Sequence, residues 1–346
     1  MQKEIFAKSL RSLFSPIAAL LEDASVSEIM INGPREVFIE RRGQLERTDV
    51  QFSSSAAILA ALRNVAQYAG TYIDERNPIL EAQLPDGSRL EAVLSPIVQD
   101  GPAVAIRRFS RSTMTLGRLI ELGAMTEQVA TVLQNLVVAK CNMVVAGGTG
   151  SGKTSLLNVL AGCAPEGERV LVLEDTREIQ IARGHVLYME ARKPDEQGQG
   201  AITIRELFRA SLRMRPDRII VGEIRGAEAI DMLQAMVSGH GGCLSTLHAS
   251  TPNDTLARLE TMSMMSDLTL PLSAVRSQIG SGIDVIVQVA RLADGARKLT
   301  NVTEVVGFDL SSNAYVLRDL FALRDGKLSA MPALDNYEAR LTGVQR

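Results

Sequence analysis

One octapeptide constrains this 346-residue chain more than any other stretch: Gly147-Gly148-Thr149-Gly150-Ser151-Gly152-Lys153-Thr154. It is a complete GxxxxGK[ST] pattern, and Ser155 follows it. The spacing has a physical cause. Glycines let the backbone wrap closely and turn its N–H groups toward phosphate oxygens. A helix that begins near Lys153 adds its positive end. Lys153 reaches the outer phosphates, and the Thr154 hydroxyl reaches magnesium. At ordinary residue usage the pattern arises by chance in about one chain in a hundred of this length. Its flanks lower that further, because the apolar "NMVVAGG" precedes it and the helix-like "KTSLLNVLAGC" follows. Position 153 is lysine, so GxGxxG is absent here and a dinucleotide-binding fold is disfavoured.

After residue 118 the pattern alternates strand and helix, through "RVLVLED", "TIRELFRASLR", "DRIIVGE", "AEAIDMLQAMVSG" and "GCLSTLHA". That alternation predicts an α/β fold with a parallel-rich sheet covered on both faces. Strand-like runs return from about residue 283. Residues 1–109 read as a smaller α+β unit. It has short strands around Asn32-Gly33-Pro34, a helix in "SSSAAILAALRNVAQYAG", a hairpin around "PDG", and a strand in "AVAIRRF". "SRSTMTLG", residues 110–117, is the expected hinge, and 118–346 the expected nucleotide-binding domain.

Composition sets limits. Hydrophobic residues are 46% and charged residues 22%, so a sizeable core is expected. The net charge of −3 gives no basic face of the kind that nucleic acid favours. Cys141, Cys163 and Cys243 are far apart and form no CxxC pair, which reads as reduced buried thiols. No run approaches the length of a membrane span. The N-terminal "LFSPIAALL" is faintly like a signal sequence, but Glu4, Pro16 and Glu22-Asp23 make an amphipathic helix the better reading.

A phosphate loop is commonly partnered by an aspartate at the end of a second strand. In "PDRIIVGEIRG" that place holds Gly222, and Glu223 follows. Carboxyl ends of parallel strands face the ligand crevice, so Glu174 and Asp175 after "RVLVL" and Glu223 after "RIIVG" are the candidate acids. Asp175 reads equally well as a surface acid, and Asp217 sits at the wrong end of its strand. His240 and His248 flank "GGCLSTL"; a lone histidine is usually a satisfied core or surface residue, but His248 again falls at a strand's carboxyl end.

Together "GGTGSGKTS", "LEDTREIQ", "RMRPDRIIVGEIRG" and "GHGGCLSTLHA" resemble the Walker A, Asp box, Walker B and His box of the secretion ATPase superfamily, in that order. This group serves type II secretion, type IV pili and type IV secretion. Its Walker B carries glycine and glutamate, so Gly222-Glu223 looks like the family pattern. The resemblance extends over nearly the whole chain, and residues 258–307 look most like the tight-adherence (Tad/CpaF-type) pilus branch. The N-terminal extension that branch often carries is short here, and the tetracysteine site of many type II members is absent.

The resemblance implies a RecA-like P-loop ATPase domain preceded by a PAS-like α+β domain, assembled as a homohexameric ring that binds ATP and Mg2+. It implies that Glu223 orients or deprotonates water, that Glu174 assists metal and water, and that His248, with His240 behind it, senses the γ-phosphate. Thr154 and Glu174 are then the metal-side residues. Arg89 in "GSRLEA" and Arg107 in "AIRRF" match arginines that the family brings from its N-terminal domain; Arg108 is the alternate, since adjacent strand residues face opposite sides. Arg213, Arg215 and Arg225 read as solvated or interdomain residues. The implied setting is cytoplasmic, peripheral at the inner membrane, working on a platform protein and not on nucleic acid. The neighbouring readings are a conjugative type IV secretion ATPase, a nucleic-acid motor, and a switch in which turnover is incidental.

Overall fold

The computed structural model describes residues 2–41, 43–109, 114–182, 184–194, 198–268, 270–324 and 326–334. The chain divides into two compact units, Met1–Thr113 and Met114–Arg346. Residues 110–113 of the expected hinge lie outside the described residues. The rest of it is the start of a helix, because the Thr115 side chain accepts a hydrogen bond from the Arg118 N–H and caps it.

The first unit is a six-stranded antiparallel sheet with helices α1 (Gln2–Leu13), α2 (Ala18–Glu22) and α3 (Ser55–Tyr68). Its strands are β1 (Val26–Asn32), β2 (Val37–Arg41), β3 (Gln44–Arg47), β4 (Ile79–Gln83), β5 (Arg89–Val93) and β6 (Ala103–Arg107), in the order β3-β2-β1-β6-β5-β4. The predicted hairpin is β4–β5, and the predicted helix is α3, capped by Ser54. β3 was not legible, since "QLER" is short, polar and mostly exposed. Ile29, Ile31, Leu90, Ala92, Val104 and Ile106 point to one face, where α3 supplies Ile58, Leu62 and Val65. The alternate residues of β1, β5 and β6 therefore share the opposite face.

The second unit is a nine-stranded sheet. Its strands are β7 (Met143–Gly147), β8 (Val170–Glu174), β9 (Val186–Glu190), β10 (Arg218–Val221), β11 (Leu244–Leu247), β12 (Val285–Arg291), β13 (Arg297–Asp309), β14 (Ala314–Arg324) and β15 (Lys327–Ala330). The order β15-β14-β13-β12-β7-β11-β10-β8-β9 is parallel from β12 through β9 and antiparallel from β12 through β15. Helices α4 (Leu116–Glu121), α5 (Glu127–Val138) and α6 (Lys153–Gly162) belong with one face. Helices α7 (Ile204–Ser211), α8 (Glu228–Val237), α9 (Pro252–Met264) and α10 (Leu272–Gly282) cover the other. Alternation along β7 feeds both cores: Met143 and Val145 join the first, Val144 and Ala146 the second. Strands buried on both sides must be almost wholly apolar, which is why "NMVVAG" and "DRIIVG" show no polar alternation. Among the described residues no helix is long and apolar enough to cross a membrane.

Candidate functional site

The central parallel strands end side by side, and the predicted residues follow those ends. β7 runs into the glycine-rich loop, which leads into α6. Gly150 (φ 69°) and Gly152 (φ 96°) adopt the left-handed backbone that a side chain would strain. Gly147 has a different reason: a Cβ there would lie 2.4 Å from the Val289 carbonyl oxygen. Gly148, Thr149 and Gly150 are exposed, so the loop is open to a ligand. Three donors converge on the Gly148 carbonyl oxygen: Lys153 Nζ at 2.9 Å, Ser151 Oγ at 2.8 Å and the Ser151 N–H at 3.4 Å. Thr154 is half-buried at the start of α6 and Ser155 is exposed.

From Lys153 a line of charged contacts crosses the strand ends. Lys153 Nζ is 3.4 Å from His248 Nδ1, just past β11. His248 Nε2 is 3.3 Å from Glu223 Oε1, just past β10. Glu223 Oε2 accepts from Arg225 at 2.8 Å, and Arg225 also stands 3.6 Å from Asp175, just past β8. An ammonium group only donates, so Nδ1 is the accepting nitrogen of His248 and Nε2 carries the proton toward Glu223. Burial and the Lys153 charge hold the His248 pKa below its ordinary value, against the opposing pull of Glu223, so the ring is neutral. Burial pushes Glu223 up, but the Arg225 hydrogen bond and the charges of Arg225 and Lys153 outweigh it and hold its carboxyl below the usual range.

Arg225 is exposed, in keeping with its sequence reading as a solvated residue, and is also tied to Glu223. The available signal was its position two residues past the acid, which alone does not say where the side chain turns.

Glu174 ends β8 but is only 5% exposed. Its Oε1 accepts the N–H groups of Glu178 and Ile179, both at 3.0 Å, which fixes the turn after the strand. Burial raises its carboxyl to about 7, despite those two bonds. The missing Walker B aspartate has its explanation here. A Cβ at Gly222 would lie 2.9 Å from Glu174 Cγ. The space that an aspartate would occupy is filled by the acid of the neighbouring strand. Thr246 Oγ1 donates to the Gly222 carbonyl at 2.7 Å and secures the same crossing.

His240 is not brought to this cluster. It precedes β11 while His248 follows it, and the four strand residues between rise about 3.3 Å each. His240 lines a cavity of about 110 Å³ with Lys140, Asp217 and Arg218 at the opposite end of the sheet, and its Nδ1 is buried without a hydrogen-bond partner. Asp217 lies at that end too, accepting the Arg169 N–H at 2.9 Å, in keeping with a turn role.

Within the first unit, Arg89 and Arg107 are direct cross-strand partners, and Glu28 pairs with Arg107 on its other side. All three lie on the face away from the core. Arg89 has Glu81 at 3.9 Å. Arg108 serves the fold instead, since its guanidinium donates to the carbonyls of Asp23 and Val26 and ties α2 to β1. Of the adjacent pair, Arg107 is the one that stands beside Arg89.

Nothing among the described residues gathers three or more histidine, cysteine, aspartate or glutamate side chains that could hold a metal ion. A magnesium ion bound with phosphates keeps several waters and needs few protein ligands. The Thr154 hydroxyl and the acids at the strand ends are the residues on hand for it. None of the three cysteines is in a disulfide, and burial pushes the Cys243 thiol up to about 12.

The profile of the Type II/IV secretion system protein family matches residues 12–316. The chain belongs to that family. It is 33% identical over 289 residues to a putative conjugal transfer protein of Mycobacterium tuberculosis, covering 82% of each chain. It is 34% identical over 304 residues to the type IV secretion system protein PtlH of Bordetella pertussis, covering 80% of this chain and 89% of that one. A crystal structure of the pilus retraction motor PilT with bound ADP superposes with a TM-score of 0.59 at 18% identity, covering 96% of this chain and 87% of that one. This family member thus has the fold of such proteins: a RecA-like domain of parallel strands preceded by a smaller N-terminal domain.

Proposed function

We propose that this family member is a magnesium-dependent ATPase, turning ATP into ADP and phosphate and coupling that reaction to domain motion. The observation that carries the reading is the line Lys153–His248–Glu223–Arg225, which joins the phosphate loop to the ends of two further strands. On binding, Lys153 leaves the Gly148 carbonyl and His248 for the outer phosphates. Thr154 holds the magnesium, which offsets phosphate charge when bound. Glu223, kept ionised by its cationic neighbours, accepts a hydrogen bond from the attacking water and aligns it. His248 loses its lysine partner when nucleotide arrives, and this makes it a reporter of the γ-phosphate. Glu174 acts from beneath as a positioning residue, setting the turn after β8 and seating Gly222.

Arg89 and Arg107 supply the second positive charge. The two guanidinium groups stand on neighbouring strands on the face away from the core, where a phosphate chain would meet both. Their delivery from the N-terminal unit couples chemistry to domain closure. The working assembly is a homohexameric ring at the cytoplasmic face of the inner membrane, acting on a platform protein. The resemblance in residues 258–307 favours a Tad-type pilus. The conjugal transfer and PtlH relatives favour a second reading, a type IV secretion ATPase.

Multiple-turnover hydrolysis by the purified full chain tests the activity. Lys153→Ala is expected to abolish ATP binding or turnover while the fold survives. Wild-type hydrolysis by that variant would end the phosphate-cradle assignment. Loss of pili, against loss of substrate transfer, on deletion of the gene separates the two machines.

A further inference from the structure

The β12–β13 hairpin lies along the phosphate loop at three places. Val289 presses on Gly147, whose Cβ would come 2.4 Å from its carbonyl oxygen. A Cβ at Gly150 would lie 3.9 Å from an Arg291 terminal nitrogen, and one at Gly152 would lie 3.5 Å from Arg297 Cδ. Arg291 and Arg297 are cross-strand partners, so the hairpin presents both to the loop. Arg297 Nε donates to the Gly150 carbonyl oxygen at 2.8 Å.

A trans peptide points its carbonyl and its N–H in opposite directions. With the Gly150 carbonyl held by Arg297, the Ser151 N–H of the same peptide must face the other way. It does: it points at the Gly148 carbonyl, where Ser151 Oγ and Lys153 Nζ also converge. The peptide lies between two glycines in left-handed backbone, where the chain has most freedom to lose. Ordering it before the ligand arrives removes that cost from binding.

We infer that Arg297 is a positioning residue for nucleotide binding, a brace from the antiparallel edge of the sheet that presets the phosphate loop through the Gly150 carbonyl. The inference rests on reading the loop as a nucleotide site. It also ties β13, and the strands paired beyond it, to the loop.

The experiment uses the full chain and its Arg297→Ala and Arg297→Gln variants. It measures the Kd of a fluorescent ATP analogue with magnesium, KM and kcat for ATP, and melting without nucleotide. Glutamine places its amide nitrogen at the same chain position as arginine Nε, so it keeps the donor and drops the charge. Arg297→Ala is expected to weaken binding and raise KM roughly threefold to tenfold, with kcat changed less than about twofold and melting unmoved. Arg297→Gln is expected to restore most of the affinity. A wild-type chain that binds nucleotide, with an alanine variant that binds equally well, would overturn the inference alone. So would a glutamine variant as weak as alanine, since charge on the phosphates would then be the cause. A wild-type chain that binds no nucleotide would sink the nucleotide-site reading and this inference with it.

Discussion

Gly222 and Glu174 share one space: the first lacks a side chain where the second needs room, with only 2.9 Å between a Cβ at 222 and Glu174 Cγ. Gly222→Ala is therefore expected to displace Glu174 and loosen the 174–179 turn, costing about 1–3 kcal/mol. Removing the obstacle should remove the penalty. In a double-mutant cycle followed by thermal unfolding, Gly222→Ala should cost markedly less in a Glu174→Ala background. Additive effects would show that the two residues do not compete.

Glu223→Gln should separate binding from chemistry. The amide is nearly isosteric and keeps a hydrogen bond, but it no longer accepts a proton. ATP affinity is expected to stay near wild type while turnover falls by about a hundredfold or more. Full activity in this variant, beside a dead Glu174→Gln, would transfer the water-activating role to Glu174.

The pH dependence of stability should carry a signature of Glu174. Burial raises its carboxyl from 4.5 to about 7, so the folded state keeps a proton that the unfolded chain has released between those values. The stability this group contributes is whole below the lower value and is lost as pH rises through the upper one. Glu174→Gln keeps an Oε1 acceptor for Glu178 and Ile179 and cannot ionise. Its melting temperature should fall less than that of wild type between about pH 5 and pH 8. Parallel curves would mean that the carboxyl does not titrate in this window.

The two adjacent arginines of the first unit should behave oppositely. Arg108→Ala removes the guanidinium bonds to the Asp23 and Val26 carbonyls and is expected to destabilise by about 1–3 kcal/mol. Arg107→Ala removes an exposed residue that stands between a like charge, Arg89, and an opposite one, Glu28, and should leave melting nearly unchanged. It should also bind ATP almost normally while hydrolysing it about a thousandfold more slowly, the scale of an arginine finger. Equal hydrolysis by wild type and Arg107→Ala would remove the N-terminal arginines from the mechanism.

The sequence alone was enough to determine the glycine-rich loop between β7 and α6, because its glycines are local requirements of backbone geometry. It also determined the parallel core, because strands buried on both faces must be almost continuously apolar. The acid at the end of β10 was legible for the same reason: a parallel strand's carboxyl end has one place to go. Contacts between strands distant in the chain were decided only by the tertiary structure. Gly222 is explained by a side chain 48 positions earlier, and Gly150 is braced by a residue 147 positions later. The separation of His240 from His248 depended on which end of a four-residue strand each one occupies. That the exposed Arg225 also reaches Glu223 depends on a rotamer, and the charges that choose it are assembled only when β8, β10 and β11 lie side by side.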